Sequence, residues 1–273
     1  MEKRLVLNIE TSTNVCSASL SAGKEIIAAR ESHTGRSHAS LLTVFIDELM
    51  RESDTGYGDL AAVAVSMGPG SYTGLRIGVS AAKGICYGAG VPLLAVDTLR
   101  LMAMMAIKGW QSGNDTGPTT TVTNGRKTEA ATSRKTDNAT GNDTGPTIDN
   151  ATGRDTVLLC PMIDARRMEV YTALYDAYGR QVAPTGAHII DREWFDTLPG
   201  GSRVLFFGNG ADKCNHLANG ENLVYIDGIY PSAGLMPPLS DEALNEGRIE
   251  DTAYFEPYYL KDFIATTPRN RLL

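Results

Sequence analysis

The stretch that decides the fold is LVLNIETSTNVCSASLSAGK, residues 5–24. An apolar run ends at the acid Glu10, and a short polar turn and a second run follow it. Alternation of this kind predicts strands, so the stretch predicts a hairpin tipped by a carboxylate. The stretch LLCPMIDARRMEVYTALYDAYGR, residues 158–180, has the same plan, with Asp164 at its tip. Either two hairpins are similar by chance, or the chain has two similar halves.

The segments around these hairpins predict an α/β fold. SHASLLTVFIDELM has apolar residues at helical spacing, LAAVAVSM is typical of a strand buried on both faces, and 72–87 predicts a second helix. VPLLAV and RVLFFGNGA predict strands, and 240–246 a short helix. Two such halves match the plan of the actin-like ATPases and sugar kinases. That plan consists of two ribonuclease-H-like subdomains, each a mixed sheet flanked by helices.

The middle of the chain has a different composition. Residues 111–156 are rich in Asn, Asp, Thr and Gly, and the unit NDTGPT occurs there twice. Such a segment buries too little apolar surface to offset the entropy of ordering it, so we expect a low-complexity, mobile insertion. The predicted domains are an N-terminal lobe at 1–110 and a C-terminal lobe at 157–273, with this insertion between them.

Charge and composition restrict the function. The formal net charge of −7 over 273 residues argues against binding of nucleic acid by this chain alone through a broad basic face. Two interpretations stay open for Arg166 and Arg167: contact with a nucleic acid or an acidic partner, and pairing with a carboxylate such as Glu169. No apolar run reaches the roughly 18 residues of a membrane span, and the N-terminus lacks a secretory pattern. We therefore expect a cytoplasmic protein that has no contact with a membrane.

The glycine-rich stretch GPGSYTGLRIG, residues 68–78, follows an apolar run and precedes a predicted helix. Its spacing, GxGxxxG, differs by one residue from the dinucleotide fingerprint, and no GK[ST] follows as a P-loop requires. Gly74 and Gly78 are four residues apart, and so are Gly84 and Gly88. Glycine inside a helix costs about 1 kcal/mol relative to alanine, so close packing on another backbone is expected.

The two hairpin turns are degenerate phosphate loops. In active actin-like proteins a glycine after the acid lets backbone N–H groups approach phosphate, and neither turn has one. The stretch FGNGAD resembles a turn that packs on adenosine, through Gly208 and Gly210, and would support weak nucleotide contact. An actin-like ATPase or small-molecule kinase therefore stays as an alternative. The residues of the two turns are Glu10, Thr11, Ser12, Asp164, Arg166 and Arg167.

The sequence lacks the motifs of two hydrolase classes. A metallopeptidase needs a ligand cluster such as HExxH, but His33 and His38 are five residues apart and diverge by about 140° on a helix. A serine hydrolase needs a GxSxG elbow, and Ser71 does not have that context. The four cysteines form no CxxC pair, and we expect them to be reduced and mostly buried. They are Cys16, Cys86, Cys160 and Cys214.

Several motifs together resemble the TsaB (YeaZ) family of bacterial tRNA threonylcarbamoyl-adenosine biosynthesis. They are LNIETSTNVCSASL, HASLL, GPGSYTGLRIGVSAAKG, VPLLAVDTL, DARRMEVY and EPYYLKDF. The resemblance is strong over 5–99 and looser over 161–260. The insertion lies outside the pattern, and so does Glu10, at which an Asp is usual.

The resemblance implies an actin-like fold without catalytic activity, metal or cofactor. It implies a scaffold that binds a TsaD-like catalytic subunit through helices of the N-terminal lobe, with a TsaE-like ATPase joining and tRNA bound through the complex. An M22-type metallopeptidase is a further, weaker alternative. Pairing of the chain with itself when alone stays open. The expected interface residues are His38, Leu41, Leu42, Phe45, Leu49, Arg76, Val79 and Lys83.

Overall fold

The computed structural model describes residues 4–35, 38–111, 120–121 and 157–261. These fall into two compact units, one within Met1–Leu101 and Pro231–Leu273 and the other within Met102–Tyr230. The division differs from the predicted lobes, because the chain after 230 belongs with the first unit and not with 157–230. The predicted insertion lies outside the described residues, apart from 111 and 120–121.

The first unit is built on a five-stranded mixed sheet in the order β3-β2-β1-β4-β5. The β1–β2 and β2–β3 pairs are antiparallel, whereas β1–β4 and β4–β5 are parallel. The elements are β1 (Leu5–Glu10), β2 (Cys16–Ala22), β3 (Glu25–Ser32), α1 (His38–Glu52), β4 (Leu60–Gly68), α2 (Tyr72–Ala89) and β5 (Leu93–Asp97). Helix α3 (Thr98–Gln111) follows, and the second unit begins within it, at Met102. The predicted first hairpin and the helices α1 and α2 are therefore confirmed.

The second unit repeats this topology. Its sheet has the order β6-β11-β10-β7-β8-β9, and the last five strands correspond in order and direction to β5-β4-β1-β2-β3. The predicted duplication, and with it the fold of two mixed sheets flanked by helices, is confirmed. The elements are β6 (Thr120–Thr121), β7 (Val157–Asp164), β8 (Glu169–Asp176), β9 (Gln181–Ile189), α4 (Arg192–Asp196), β10 (Arg203–Phe207), α5 (Asn209–Asp212) and β11 (Leu223–Ile226).

The two faces of β2 are packed differently. Cys16, Ala18 and Leu20 point into the apolar core that α1 and α2 cover. The alternate residues of β2 are serines, and the returning C-terminal chain covers them. Ser19 Oγ donates to the carbonyl of Ala233 at 2.7 Å, and the serine face is thereby sealed by backbone rather than by apolar side chains.

The C-terminal chain is attached to the first unit along its length. After β11 it forms α6 (Pro237–Asn245), whose Glu242 pairs with both terminal nitrogens of Arg100 at 3.0 Å. Further on, the N–H of Glu250 donates to the carbonyl of Leu93 in β5, and the N–H of Tyr258 donates to Met67 in β4. These contacts assign 231–261 to the first unit.

Among the elements that were not predicted from the sequence are α3, β9 and β11. In α3, Leu99, Leu101, Met102 and Ala103 are all buried, so apolar residues surround the helix and hide its periodicity. Strand β9 contains Pro184 and lies at a sheet edge, where a missing N–H is tolerated. Strand β11 is short and buried along its length. In the described parts of the chain, no helix is both long and apolar enough to cross a bilayer.

Candidate functional site

The first hairpin turn is closed to solvent: Glu10, Thr11 and Ser12 are each 0% exposed. Glu10 ends β1, and its Oε1 accepts a hydrogen bond of 2.5 Å from the backbone N–H of Ser12. The hydroxyl of Ser66, in β4, donates to Oε2 of the same carboxylate. Both carboxylate oxygens are therefore used inside the fold.

The chain at the start of α2 lies directly on this turn, and glycines allow its close approach. A β-carbon added at Gly74 would lie under 3.0 Å from the carbonyl oxygen of Thr11. One added at Gly70 would be as close to the carbonyl oxygen of Ser12, and one at Gly78 would meet the hydroxyl of Thr11. The space over the turn, which phosphate occupies in the actin-like plan, is filled by the chain's own helix.

Hydrogen bonds fix this arrangement. The N–H of Ser71 donates to the carbonyl of Ser12 at 2.6 Å, and the hydroxyl of Thr11 donates to the carbonyl of Gly74 at 2.8 Å. The hydroxyl of Ser71 also accepts from the N–H of Gly74, which caps the helix. The spacing in GPGSYTGLRIG thus serves backbone packing, and the expectation that this helix packs on its own core is confirmed.

Burial makes the first turn sensitive to pH. Removal from water raises the pKa of Glu10 above its ordinary value of 4.5, and the hydrogen bonds from Ser12 and Ser66 oppose that rise only in part. At pH values between the ordinary pKa of Glu10 and its raised pKa in the fold, the native chain binds more protons than the unfolded chain. Its free energy of unfolding therefore falls as the pH rises through this window.

We expect Glu10→Gln to remove this fall and to raise the free energy of unfolding at neutral pH. The gain should be about 1.4 kcal/mol for each unit of the pKa rise. The amide keeps both contacts, because its oxygen accepts from Ser12 and its nitrogen donates to the hydroxyl of Ser66. Urea unfolding of both proteins at about pH 5 and about pH 7 measures this. A variant less stable than the wild type at both pH values would contradict it.

The second hairpin turn is open to solvent. The N–H of Arg166 donates to Oδ1 of Asp164 at 2.9 Å, and Lys213 of the following helix forms an ion pair with the same oxygen. Asp164 is therefore engaged by its own turn and a lysine. The side chains of Arg166 and Arg167 are exposed, and among the described residues neither forms an ion pair. Of the two interpretations left open by the sequence, pairing with Glu169 is therefore not observed.

The glycine turn after β10 packs on backbone. A β-carbon at Gly208 would lie close to the carbonyl oxygen of Met162, and one at Gly210 would lie 2.9 Å from the carbonyl carbons of Met162 and Ile163. Asn209 between them accepts a hydrogen bond of 3.0 Å from the N–H of Asp164. Both glycines are buried, so this turn supports the second hairpin in the way that the start of α2 supports the first.

The structure places half of the predicted interface residues in the core. Leu42, Leu49 and Val79 are at most 4% exposed and pack in the core of the first unit. His38 is buried too, with Nε2 lying 3.2 Å from the carbonyl oxygen of Val15. These four positions are wrong as surface contacts, because helical periodicity cannot distinguish a face that meets the chain's own sheet from one that meets a partner.

The other four predicted positions are not buried: Leu41, Phe45 and Lys83 are half-buried, and Arg76 is exposed. Leu41 and Phe45 lie at the edge of the core on α1, and Arg76 is fully outward, with its guanidinium 5.5 Å from the ring centre of Tyr72. The side chain of Lys83 binds the C-terminal segment of the same chain, because its Nζ donates to two carbonyls there, at 3.1 and 3.0 Å. Leu41, Phe45 and Arg76 remain as surface candidates.

The structure adds an outward face that residue-by-residue selection missed. Arg76, Ser80, Gly84 and Gly88 follow one another at four-residue intervals on α2, and all are exposed. No atom lies within 4 Å of a β-carbon built at Gly84 or Gly88. We call these four residues the α2 stripe. The Gly84–Gly88 spacing was visible in the sequence, but only the structure separates it from the buried Gly74–Gly78 pair.

The cysteines match the expectation of reduced, buried thiols. All four are free and buried, and burial raises the pKa of Cys16, Cys86 and Cys214 to about 11 and that of Cys160 to about 12. They are therefore thiols rather than thiolates at neutral pH. Among the residues described, no three His, Cys, Asp or Glu side chains are grouped so that they could hold a metal ion.

The family model described as TsaD, tRNA N6-adenosine threonylcarbamoyltransferase, matches residues 30–157. The tRNA threonylcarbamoyladenosine biosynthesis protein TsaB of Escherichia coli K12 is 27% identical over 95% of this chain and 96% of its own length. TsaB of Bacillus subtilis 168 is 25% identical over 91% of this chain and 89% of its own length. The chain is therefore similar to TsaB (YeaZ) proteins over nearly its whole length.

The solved structures agree in fold. YeaZ from Pseudomonas aeruginosa superposes with a TM-score of 0.67 at 19% identity, over 94% of this chain and all of that one. The sequence matches and this shared fold together confirm the resemblance to the TsaB family that the motifs carry.

Proposed function

We propose that this chain is a non-catalytic subunit in the biosynthesis of threonylcarbamoyladenosine in tRNA, and that it acts by binding a TsaD-like catalytic subunit. Its TsaB relatives in E. coli and B. subtilis are named for that biosynthesis. The observation that carries the non-catalytic part is the sealed first turn, in which Glu10, Thr11 and Ser12 are 0% exposed under the start of α2.

The sealed turn weighs against the ATPase and kinase alternative. Phosphoryl transfer depends on backbone N–H groups and a cation placed against the phosphates. Here the N–H of Ser12 donates to the carboxylate of Glu10, and the N–H of Ser71 donates to the carbonyl of Ser12, so neither N–H is available to phosphate. In the second unit, Gly208 and Gly210 lie against the backbone of β7, where a nucleotide would need free space.

The surface that would bind the partner combines α1 and α2. Val44 is 47% exposed and Tyr87 89%, although both are large and apolar in part. Leu41 and Phe45 add half-buried apolar area, and the α2 stripe lets another backbone approach closely. Apolar side chains beside small residues are typical of helices that pack against a second protein surface.

Binding of this kind would act through the partner's conformation. A scaffold that binds the productive conformation of a TsaD-like subunit more tightly than the unproductive one shifts the population toward the productive state. A TsaE-like ATPase would join that pair, and tRNA would be held by the complex. In the absence of the partner, the same face is the one through which two copies of this chain would pair.

The test is light scattering after size-exclusion chromatography, with the chain alone and mixed with the TsaD-like protein of the same organism. We expect Gly84→Gln to weaken the complex by about tenfold or more, because the side chain fills the open position on the α2 stripe. The same change replaces a helix-interior glycine, so the isolated chain should become more stable by about 0.5–1 kcal/mol. Loss of the complex would thus not reflect unfolding.

The matched control is Gly200→Gln in the second unit. Gly200 also has no atom within 4 Å of a built β-carbon, so the change adds the same side chain at an open position. We expect this variant to bind the partner like the wild type. A wild-type chain that forms no complex, or a Gly84→Gln variant that binds unchanged, would contradict the proposed interface.

A further inference from the structure

We propose that Arg166 and Arg167, at the exposed tip of the β7–β8 turn, bind the phosphodiester backbone of RNA. We call these two residues the arginine tip. The inference rests on the proposed function, because a complex that modifies tRNA must hold a polyanion.

The backbone of the turn presents both side chains to solvent. Arg166 and Arg167 have φ values of +72° and +51°, a left-handed conformation that residues other than glycine seldom adopt. The turn is closed by two hydrogen bonds with Glu169, in which the N–H of Ala165 donates to its carbonyl and its N–H donates to the carbonyl of Arg166. Two adjacent arginines are thus held in an uncommon conformation at a fixed, exposed tip.

The acids near the arginine tip are already engaged. Asp164 is paired with Lys213, whose Nζ also donates to the carbonyl of Glu169 at 2.6 Å. The carboxylate of Asp212 accepts from the hydroxyls of Tyr225 and Tyr230, at 2.8 and 2.9 Å. Among the described residues, neither arginine of the tip has a carboxylate within ion-pair distance, so their charge is available to a ligand.

The chemistry of the tip fits phosphate. A guanidinium presents a planar fork of N–H donors that matches two phosphate oxygens, and two neighbouring forks can reach successive phosphates of one strand. The formal net charge of −7 repels RNA and an acidic protein alike, so either ligand would have to contact the arginine tip locally. RNA carries a negative charge at every nucleotide and a layer of condensed counterions. A contact with a few arginines releases some of these counterions, and the release favours binding in spite of the net repulsion. These features favour RNA over an acidic protein segment.

The test is fluorescence anisotropy with an unmodified tRNA transcript and the complex of this chain with the TsaD-like protein. The variant is Arg166→Asn/Arg167→Asn, because asparagine tolerates the left-handed conformation and removes the charge. We expect the double variant to bind tRNA about tenfold more weakly near physiological salt. The slope of log K against log salt should also become less steep by up to about 1.8, for two lost phosphate contacts.

The control is Arg192→Gln, which removes an exposed arginine from α4 in the same unit. It should leave tRNA binding unchanged, and both variants should bind the TsaD-like protein normally. Unchanged tRNA affinity in the double variant, or an equal loss in the control, would overturn the proposal. The proposal would also be overturned if the double variant no longer bound the TsaD-like protein, because the arginine tip would then be a protein contact. If the wild type forms no complex, the proposed function fails. The arginine tip is then tested by titrating tRNA with the isolated chain. The double variant must again bind tRNA more weakly than the wild type.

Discussion

Replacing Gly74 by alanine is expected to lower the free energy of unfolding by about 3 kcal/mol or more, and in the limit to prevent folding. The added β-carbon would lie under 3.0 Å from the carbonyl oxygen of Thr11, which is backbone and cannot rotate away. Relief of the contact requires α2 to move off the first hairpin turn. That movement would break the 2.8 Å hydrogen bond from Thr11 to the carbonyl of Gly74.

Gly84→Ala is the matched control, since it makes the same change in the same helix at an open position. It should raise the free energy of unfolding by about 0.5–1 kcal/mol, through helix propensity and a less flexible unfolded chain. Urea unfolding followed by circular dichroism measures both variants. If Gly74→Ala unfolds within about 0.5 kcal/mol of the wild type, the packing of α2 on the turn is not as described.

Leu42→Arg is expected to unfold the first unit rather than to affect a partner contact. Leu42 is 1% exposed and packs in the core between α1 and the sheet. An arginine there would bury a charge without a partner, at a cost of about 4 kcal/mol or more, a large part of a typical domain's stability. We expect loss of the cooperative unfolding transition, or recovery of the protein only as aggregate.

Val44→Arg controls for the charge and for the helix. Val44 lies two residues further along α1 and is 47% exposed, so its free energy of unfolding should change by no more than about 0.5 kcal/mol. The same urea titration compares the two variants. Cooperative unfolding of Leu42→Arg near the wild-type midpoint would show that Leu42 is not in the core.

The sequence predicted those parts of the fold in which local pattern and tertiary packing agree. The two acid-tipped hairpins were recognisable because each strand ends at an acid, Glu10 or Asp164, and the turn after it is short. Helix α1 was recognisable because one face carries its buried residues Leu42, Ile46 and Leu49. In α1 the periodicity of the sequence is the periodicity of burial.

The rest depends on packing that no local pattern encodes. The return of 231–261 to the first unit depends on contacts such as Ser19 with Ala233, more than two hundred residues apart in sequence. The burial of Leu49 and Val79 and the exposure of Gly84 depend on which face of a helix meets the sheet. The glycines at 74 and 84 look alike in sequence, and only the structure shows which of them lies against backbone.

The central claim is that this chain contributes binding and not chemistry. The most direct test is the rate of threonylcarbamoyl transfer to tRNA by the TsaD-like and TsaE-like partners, with either the wild-type chain or Glu10→Gln/Asp164→Asn. This double variant removes both acids at the hairpin tips and should retain the fold. We expect transfer rates within about twofold of each other. A double variant that binds the TsaD-like partner normally but slows transfer by about a hundredfold or more would contradict the claim, because it would give one of these acids a catalytic role.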